Sequence, residues 1–129
     1  MLKITYDMLN DVFLYSKLPE LKEVILSESE YLGCNLPHSL YGNVLNPVVA
    51  SLIKKDEYKK NELLKNIFDL YEQMAKYGDE DVKNLLQVTL LEYLWDDYTV
   101  YTRSLELMGN YTLEINKEIL DYLYIPTEK

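Results

Sequence analysis

Glu92, Asp96 and Asp97 are the residues of this chain whose types and spacing best suit joint chemistry. Glu92 and Asp96 stand four apart, so a helix puts both carboxylates on one face, with Asp97 beside them. Such a group can ligate a divalent cation, work as an acid–base pair, or dock a basic protein. The first two uses lack support. No EF-hand loop, HExxH pair or nearby histidine accompanies the acids, and the chain holds one His and one Cys in all. Docking fits better, because Tyr93, Trp95, Tyr98 and Tyr101 surround them, and Tyr and Trp are favoured anchors at protein interfaces. A second acidic group, Asp79-Glu80-Asp81, suits a helix N-terminus, where Asp caps free N–H groups and acids meet the positive end of the dipole. It also adds to a field that steers a cationic partner.

Other constellations are weaker. Cys34 and His38 have the residue types of an activated nucleophile. No orienting acid lies near them in sequence, and two ligands make a poor zinc site, so a small buried Cys and a loop His is the plainer reading. Lys54, Lys55, Lys59, Lys60 and Lys65 interleave with Asp56, Glu57 and Glu62, as expected of a solvated helix start. Neither a Gly-rich phosphate loop nor a GxSxG elbow is present. The residues therefore point to no enzyme, no cofactor and no metal.

These side chains need elements to position them, and helical periodicity dominates. Leu63, Leu64, Ile67, Phe68, Tyr71, Met74 and Ala75 form one core-facing stripe, ended by Gly78. Val82, Leu85, Leu86, Leu90, Leu91 and Leu94 form the next, behind the Asp79 cap. A first helix follows Thr5 and ends near Lys17, and a second opens at Pro19 and fades by Gly33. Residues 33–45 read as a loop with one turn, and Asn46-Pro47 as a fresh helix start. Asp96 or Asp97 caps a helix carrying Tyr101, Leu105 and Met108, although the β-branched run at 98–102 is the place where a strand competes. Thr112 then caps a last helix through Ile115, Ile119, Tyr122 and Leu123, stopped by Pro126. The expectation is one all-α domain over residues 1–129, with six or seven antiparallel helices. Its C-terminal half would stack as two HEAT-like hairpins, 56–77 with 79–94 and 97–108 with 112–123.

The chain has 129 residues, a formal charge of -9 and 48% hydrophobic residues. That apolar content supports a core rather than a disordered acidic chain. The charge is uneven: -3 over residues 1–53, +2 over 54–65 and -8 over 66–129. The acid excess argues against binding nucleic acid or an anionic membrane, because phosphates attract cations. No apolar run approaches the length of a membrane span, no signal peptide is legible, and the lone thiol suits a reducing, cytoplasmic setting.

The run Val82–Asp97 has a further significance. An apolar helix leads into Glu92-Tyr93-Leu94 and an acidic turn, and a later helix ends at Leu107-Met108-Gly109. Over residues 78–125 this pattern resembles small all-helical bacterial immunity proteins of polymorphic-toxin and contact-dependent growth inhibition systems. The resemblance implies a non-enzymatic inhibitor that binds a cognate toxin domain, with a basic nuclease as the expected target. In that reading Glu92, Asp96 and Asp97 dock the toxin, Tyr98 and Tyr101 anchor it, and Asp79, Glu80 and Asp81 steer it. The alternative is a HEAT-like helical adaptor in another complex.

Overall fold

Leu85, Leu86, Leu90 and Leu91 decide how the middle of the molecule is wound. The two pairs recur five residues apart. In a regular α-helix five steps of about 100° would turn the second pair roughly 140° away from the first. The structure, a computed structural model describing residues 3–123 with side chains to residue 121, resolves this with a π-helical stretch at Leu86–Leu91. Its wider turns, with i→i+5 bonds, keep all four leucines fully buried.

Helix α1 spans Asp11–Lys17, α2 Lys22–Leu32, α3 Pro37–Ile53 and α4 Glu62–Tyr77. Helix α5 runs as Glu80–Leu85, continues through the π stretch and closes as Glu92–Leu94. Helices α6 (Tyr98–Leu107) and α7 (Asn110–Leu123) complete the fold, and short 3-10 turns at Tyr6–Met8, Pro19–Leu21 and Tyr58–Lys60 join the elements. The result is a single compact all-α domain of seven helices with no strand among the described residues. One isolated parallel bridge ties Ile4 to Gly78.

Side-chain caps set the starts. Asn10, Asn61, Asp79 and Asp97 accept from the N–H groups of Phe13, Leu64, Val82 and Val100 at 2.9, 2.8, 2.9 and 3.1 Å. The first helix thus begins under Asn10, not Thr5. Gly33 ends α2 with φ +79°, the left-handed geometry that glycine adopts without a Cβ penalty. Gly78 ends α4 in extended backbone instead. Glycine is needed there for space, since a Cβ would lie 2.4 Å from the Met74 carbonyl oxygen.

Two expectations are corrected, and at 98–102 the expected helix forms in place of the competing strand. Asn46-Pro47 does not start a helix, and residues 37–45 are not loop: α3 runs unbroken through Pro47. A proline inside a helix removes one hydrogen bond and costs about 3 kcal/mol. Leu40, Tyr41, Val44, Leu45, Val49 and Ile53 are all buried on this helix. At about 1.5–3 kcal/mol for each fully buried large side chain, their burial outweighs the penalty. The β-branched run at 98–102 is helical, because Val100 and Ser104 face the core together. The last helix starts at Asn110, ahead of Thr112, because its N-terminus is capped from another helix. The Glu72 carboxylate on α4 accepts from Tyr111 N at 3.0 Å, Thr112 N at 2.9 Å and Thr112 Oγ1 at 2.7 Å. Gly109 makes room for this carboxylate, since a Cβ there would lie 2.4 Å from Glu72 Cδ.

That tertiary cap also decides the packing of the C-terminal half. Helix α7 lies mainly against α4 and the π stretch of α5 and less against α6, so α4 pairs with α5 as expected while the second hairpin is not the main packing of α7. Helix α3 is central, contacting α2, α4, the π stretch and α6. The expected stop at Pro126 lies outside the described residues.

Candidate functional site

The acidic and aromatic end of α5 is built on one buried amide. Asn116, on α7, is 3% exposed. Its Oδ1 accepts from Trp95 Nε1 at 3.1 Å, and its Nδ2 donates to the Tyr101 hydroxyl at 3.1 Å. The Trp95 and Tyr101 rings lie 4.4 Å apart, centroid to centroid. Buried amides are costly unless satisfied, so this latch fixes the relative position of α5, α6 and α7 where they meet. Tyr101 is therefore part of the support for this corner, half-buried and engaged within the fold.

Tyr98 is the outward residue at this corner. It is 83% exposed, and Tyr93 on the last turn of α5 is 37% exposed. Asp96 is exposed between them in sequence, and Glu92 is half-buried. Asp97 is occupied as the α6 cap, and Lys54 Nζ lies 3.2 Å from its carboxylate. The Val100 N–H and then Lys54 hold the Asp97 carboxyl below its ordinary pKa.

The lysine segment is less independent than its sequence implied. Arg103 donates to the Ile53 and Lys55 carbonyls at 2.9 and 3.2 Å, and its guanidinium lies 4.6 Å from the Tyr58 ring centroid. Glu106 pairs with Lys59 at 3.2 Å and accepts from the Tyr58 hydroxyl. Residues 53–60 thus zip onto α6 and neutralise part of the acid excess. Each exposed pair contributes little, but the Arg103 bonds satisfy carbonyls at the C-terminal end of α3.

Asp79, Glu80 and Asp81 sit at the opposite end of α5. At about 1.5 Å per residue the two acidic groups are separated by roughly 20 Å, so they form two fields and not one patch. Asp79 is a staple: it caps Val82 and also accepts from Tyr6 N at 3.0 Å. The Val82 N–H is the largest cause of its lowered pKa. Glu80 and Asp81 are exposed. Glu80 borders a cleft of about 360 Å³ that mixes Lys76 and Lys83 with Glu114 and Glu118.

A third place was not legible as a site. Cys34 is exposed in the α2–α3 connection rather than buried, and His38 stands in the first turn of α3 rather than in a loop, without pairing with Cys34. Instead His38 Nδ1 lies 2.5 Å from Thr89 Oγ1, across an open groove of about 490 Å³ between α2, α3 and the π stretch. The five-residue leucine spacing was the available sequence signal, since it implies the π turn that shapes this groove. Among the described residues, no group of three or more His, Cys, Asp or Glu side chains is placed to hold a metal ion.

The family assignment rests on the match of one family model to residues 13–123. The chain belongs to the DUF7674 family. That family is described as a domain of unknown function. No curated protein and no solved structure matches the chain. The DUF7674 match includes all seven helices except the first two residues of α1, and so contains the acidic corner, the Asn116 latch and the groove. No helix among the described residues is long and apolar enough to cross a membrane.

Proposed function

We propose that this protein is a non-enzymatic inhibitor, an immunity protein that binds and neutralises a cognate basic toxin domain. The observation that carries the reading is the corner at residues 93–98. Two exposed tyrosines flank an exposed acid there, on a base locked by the Trp95–Asn116–Tyr101 latch. Rigid aromatic side chains lose little entropy on binding, and an acid among them selects a cationic surface. The net charge of -9 supports fast, steered association with a basic nuclease, which must itself be cationic to grip phosphate. In this reading Asp96, Tyr98 and Tyr93 make contact, and Glu92 adds to the field. Asp97 and Tyr101 hold the corner in shape, while Glu80 and Asp81 act at a distance.

Growth rescue provides the test. The chain is co-expressed with each toxin-like domain encoded beside it, alone and as Asp96→Lys and Tyr98→Ala. The wild type should restore growth, and Asp96→Lys should slow association about tenfold or more at low salt, with the effect shrinking as salt rises. A control change at Glu30, exposed on α2, should leave rescue intact. Rescue and association unchanged in both corner variants would refute the assignment of this face. Failure to bind any neighbouring growth-arresting protein would refute the function.

A further inference from the structure

The groove between α2, α3 and the π stretch is lined by acceptors and an aromatic ring, with no Lys or Arg on its walls. Glu28 offers a carboxylate: Oε2 accepts from Asn43 Nδ2 at 2.9 Å, and the other oxygen takes no hydrogen bond from the described residues. Asn46 Nδ2 donates to the Thr89 carbonyl at 3.1 Å, whereas its Oδ1 is buried with no hydrogen-bond partner. The imidazole of His38 stands on the same wall, its Nδ1 in hydrogen-bond contact with Thr89 Oγ1. Tyr93 completes the lining. The walls are held close by Gly42, where a Cβ would lie 2.8 Å from Thr89 Cγ2. π-helical turns of this kind are frequent at functional sites.

This lining selects its ligand by charge and by donor count. An anion would meet Glu28 with no cation to receive it. An apolar group would desolvate that carboxylate without offering it a donor. A cation suits the carboxylate and the ring of Tyr93, and a planar guanidinium suits them best, with five donors in a fixed fork and a face that stacks on an aromatic ring. We infer that the groove seats the guanidinium of an arginine side chain carried by the protein's partner. Tyr93 belongs both to this groove and to the docking corner, so one basic surface can reach the two together. The inference rests on the proposed inhibitor function for the source of the arginine, but not for the chemistry of the groove.

The test is an NMR titration at pH 8 with N-acetyl-arginine amide, N-acetyl-lysine amide and the uncharged N-acetyl-citrulline amide. The arginine compound should shift amide signals of residues 38–46 and 89–93 and bind about fivefold tighter than the lysine compound, and citrulline should fail to bind. Glu28→Gln, a change at the protein surface that leaves the core untouched, should weaken arginine binding about tenfold. Absent shifts, shifts elsewhere, or equal binding of citrulline would overturn the inference. So would a Glu28→Gln variant that loses the arginine compound yet holds its toxin at unchanged affinity, a result that leaves the inhibitor reading intact. Arginine binding as expected in a protein that recognises no toxin would uphold the groove and remove the inhibitor reading.

Discussion

Glu72 caps a helix to which it does not belong, and its removal should loosen the corner at residues 93–98 as well as the fold. Its carboxylate takes three hydrogen bonds from Tyr111 and Thr112 at the start of α7. A capping residue contributes about 0.5–2 kcal/mol, and a hydrogen bond to a charged group about 1.5–3 kcal/mol. Because Glu72 is half-buried, we take about 2–3 kcal/mol for Glu72→Ala and about 1 kcal/mol for Glu72→Gln, which keeps one acceptor oxygen. For a chain of this length, unfolding entropy near about 0.27 kcal/mol/K converts these to Tm losses of roughly 7–11 °C and 4 °C. Trp95 is the only tryptophan, and its indole at the end of α5 is held by Asn116 on α7. Thermal melts followed by tryptophan fluorescence therefore report α7 docking directly.

The pH dependence supplies a second, independent check on Glu72. Burial alone would raise its pKa, but the bonds from Thr112 and Tyr111, aided by Lys76, outweigh it and hold the carboxyl below the ordinary 4.5. A depressed folded-state pKa means the stabilisation is fully present above 4.5 and is lost as pH falls through the lower folded value. The stability gap between wild type and Glu72→Gln should be constant near neutrality and narrow below pH 4.5. A gap that is absent at pH 7, or that persists unchanged into acid, would refute the tertiary cap.

Other expectations follow from single contacts. Gly109→Ala should destabilise the wild type by about 1–2 kcal/mol through its clash with the Glu72 carboxylate, but much less in a Glu72→Ala background; additive losses in denaturant titrations would contradict this coupling. Tyr71→Phe should be neutral or stabilising by up to about 1 kcal/mol, because the Tyr71 hydroxyl is buried without a partner, and a clear loss of stability would show that it has one. Asp79→Ala should cost about 1–2 kcal/mol and expose the Tyr6 amide to hydrogen exchange, since Asp79 holds both α5 and the N-terminal segment.

Local patterns alone disclosed most of the helices. Three- and four-residue apolar spacings marked α4 and the start of α5, and the polar cap at Asp79 marked where α5 begins, whereas the Asn61 cap of α4 was not foreseen. Those signals work because capping and amphipathic burial act within one or two turns. The acid excess and the cluster of acids and tyrosines over residues 92–101 were legible because those residues are neighbours in sequence. Asn46-Pro47 misled because a start signal is only a local preference, and the burial available to α3 overrode it. Tertiary structure decided what has no local counterpart. Glu72 starts α7 from another helix, Asn116 converts Tyr101 from surface anchor to support, Lys54 pairs with Asp97, and His38 meets Thr89 rather than Cys34. Each joins residues at least fifteen positions apart. Their energies exist only after the chain has closed the loops between them, so no window of sequence contains them.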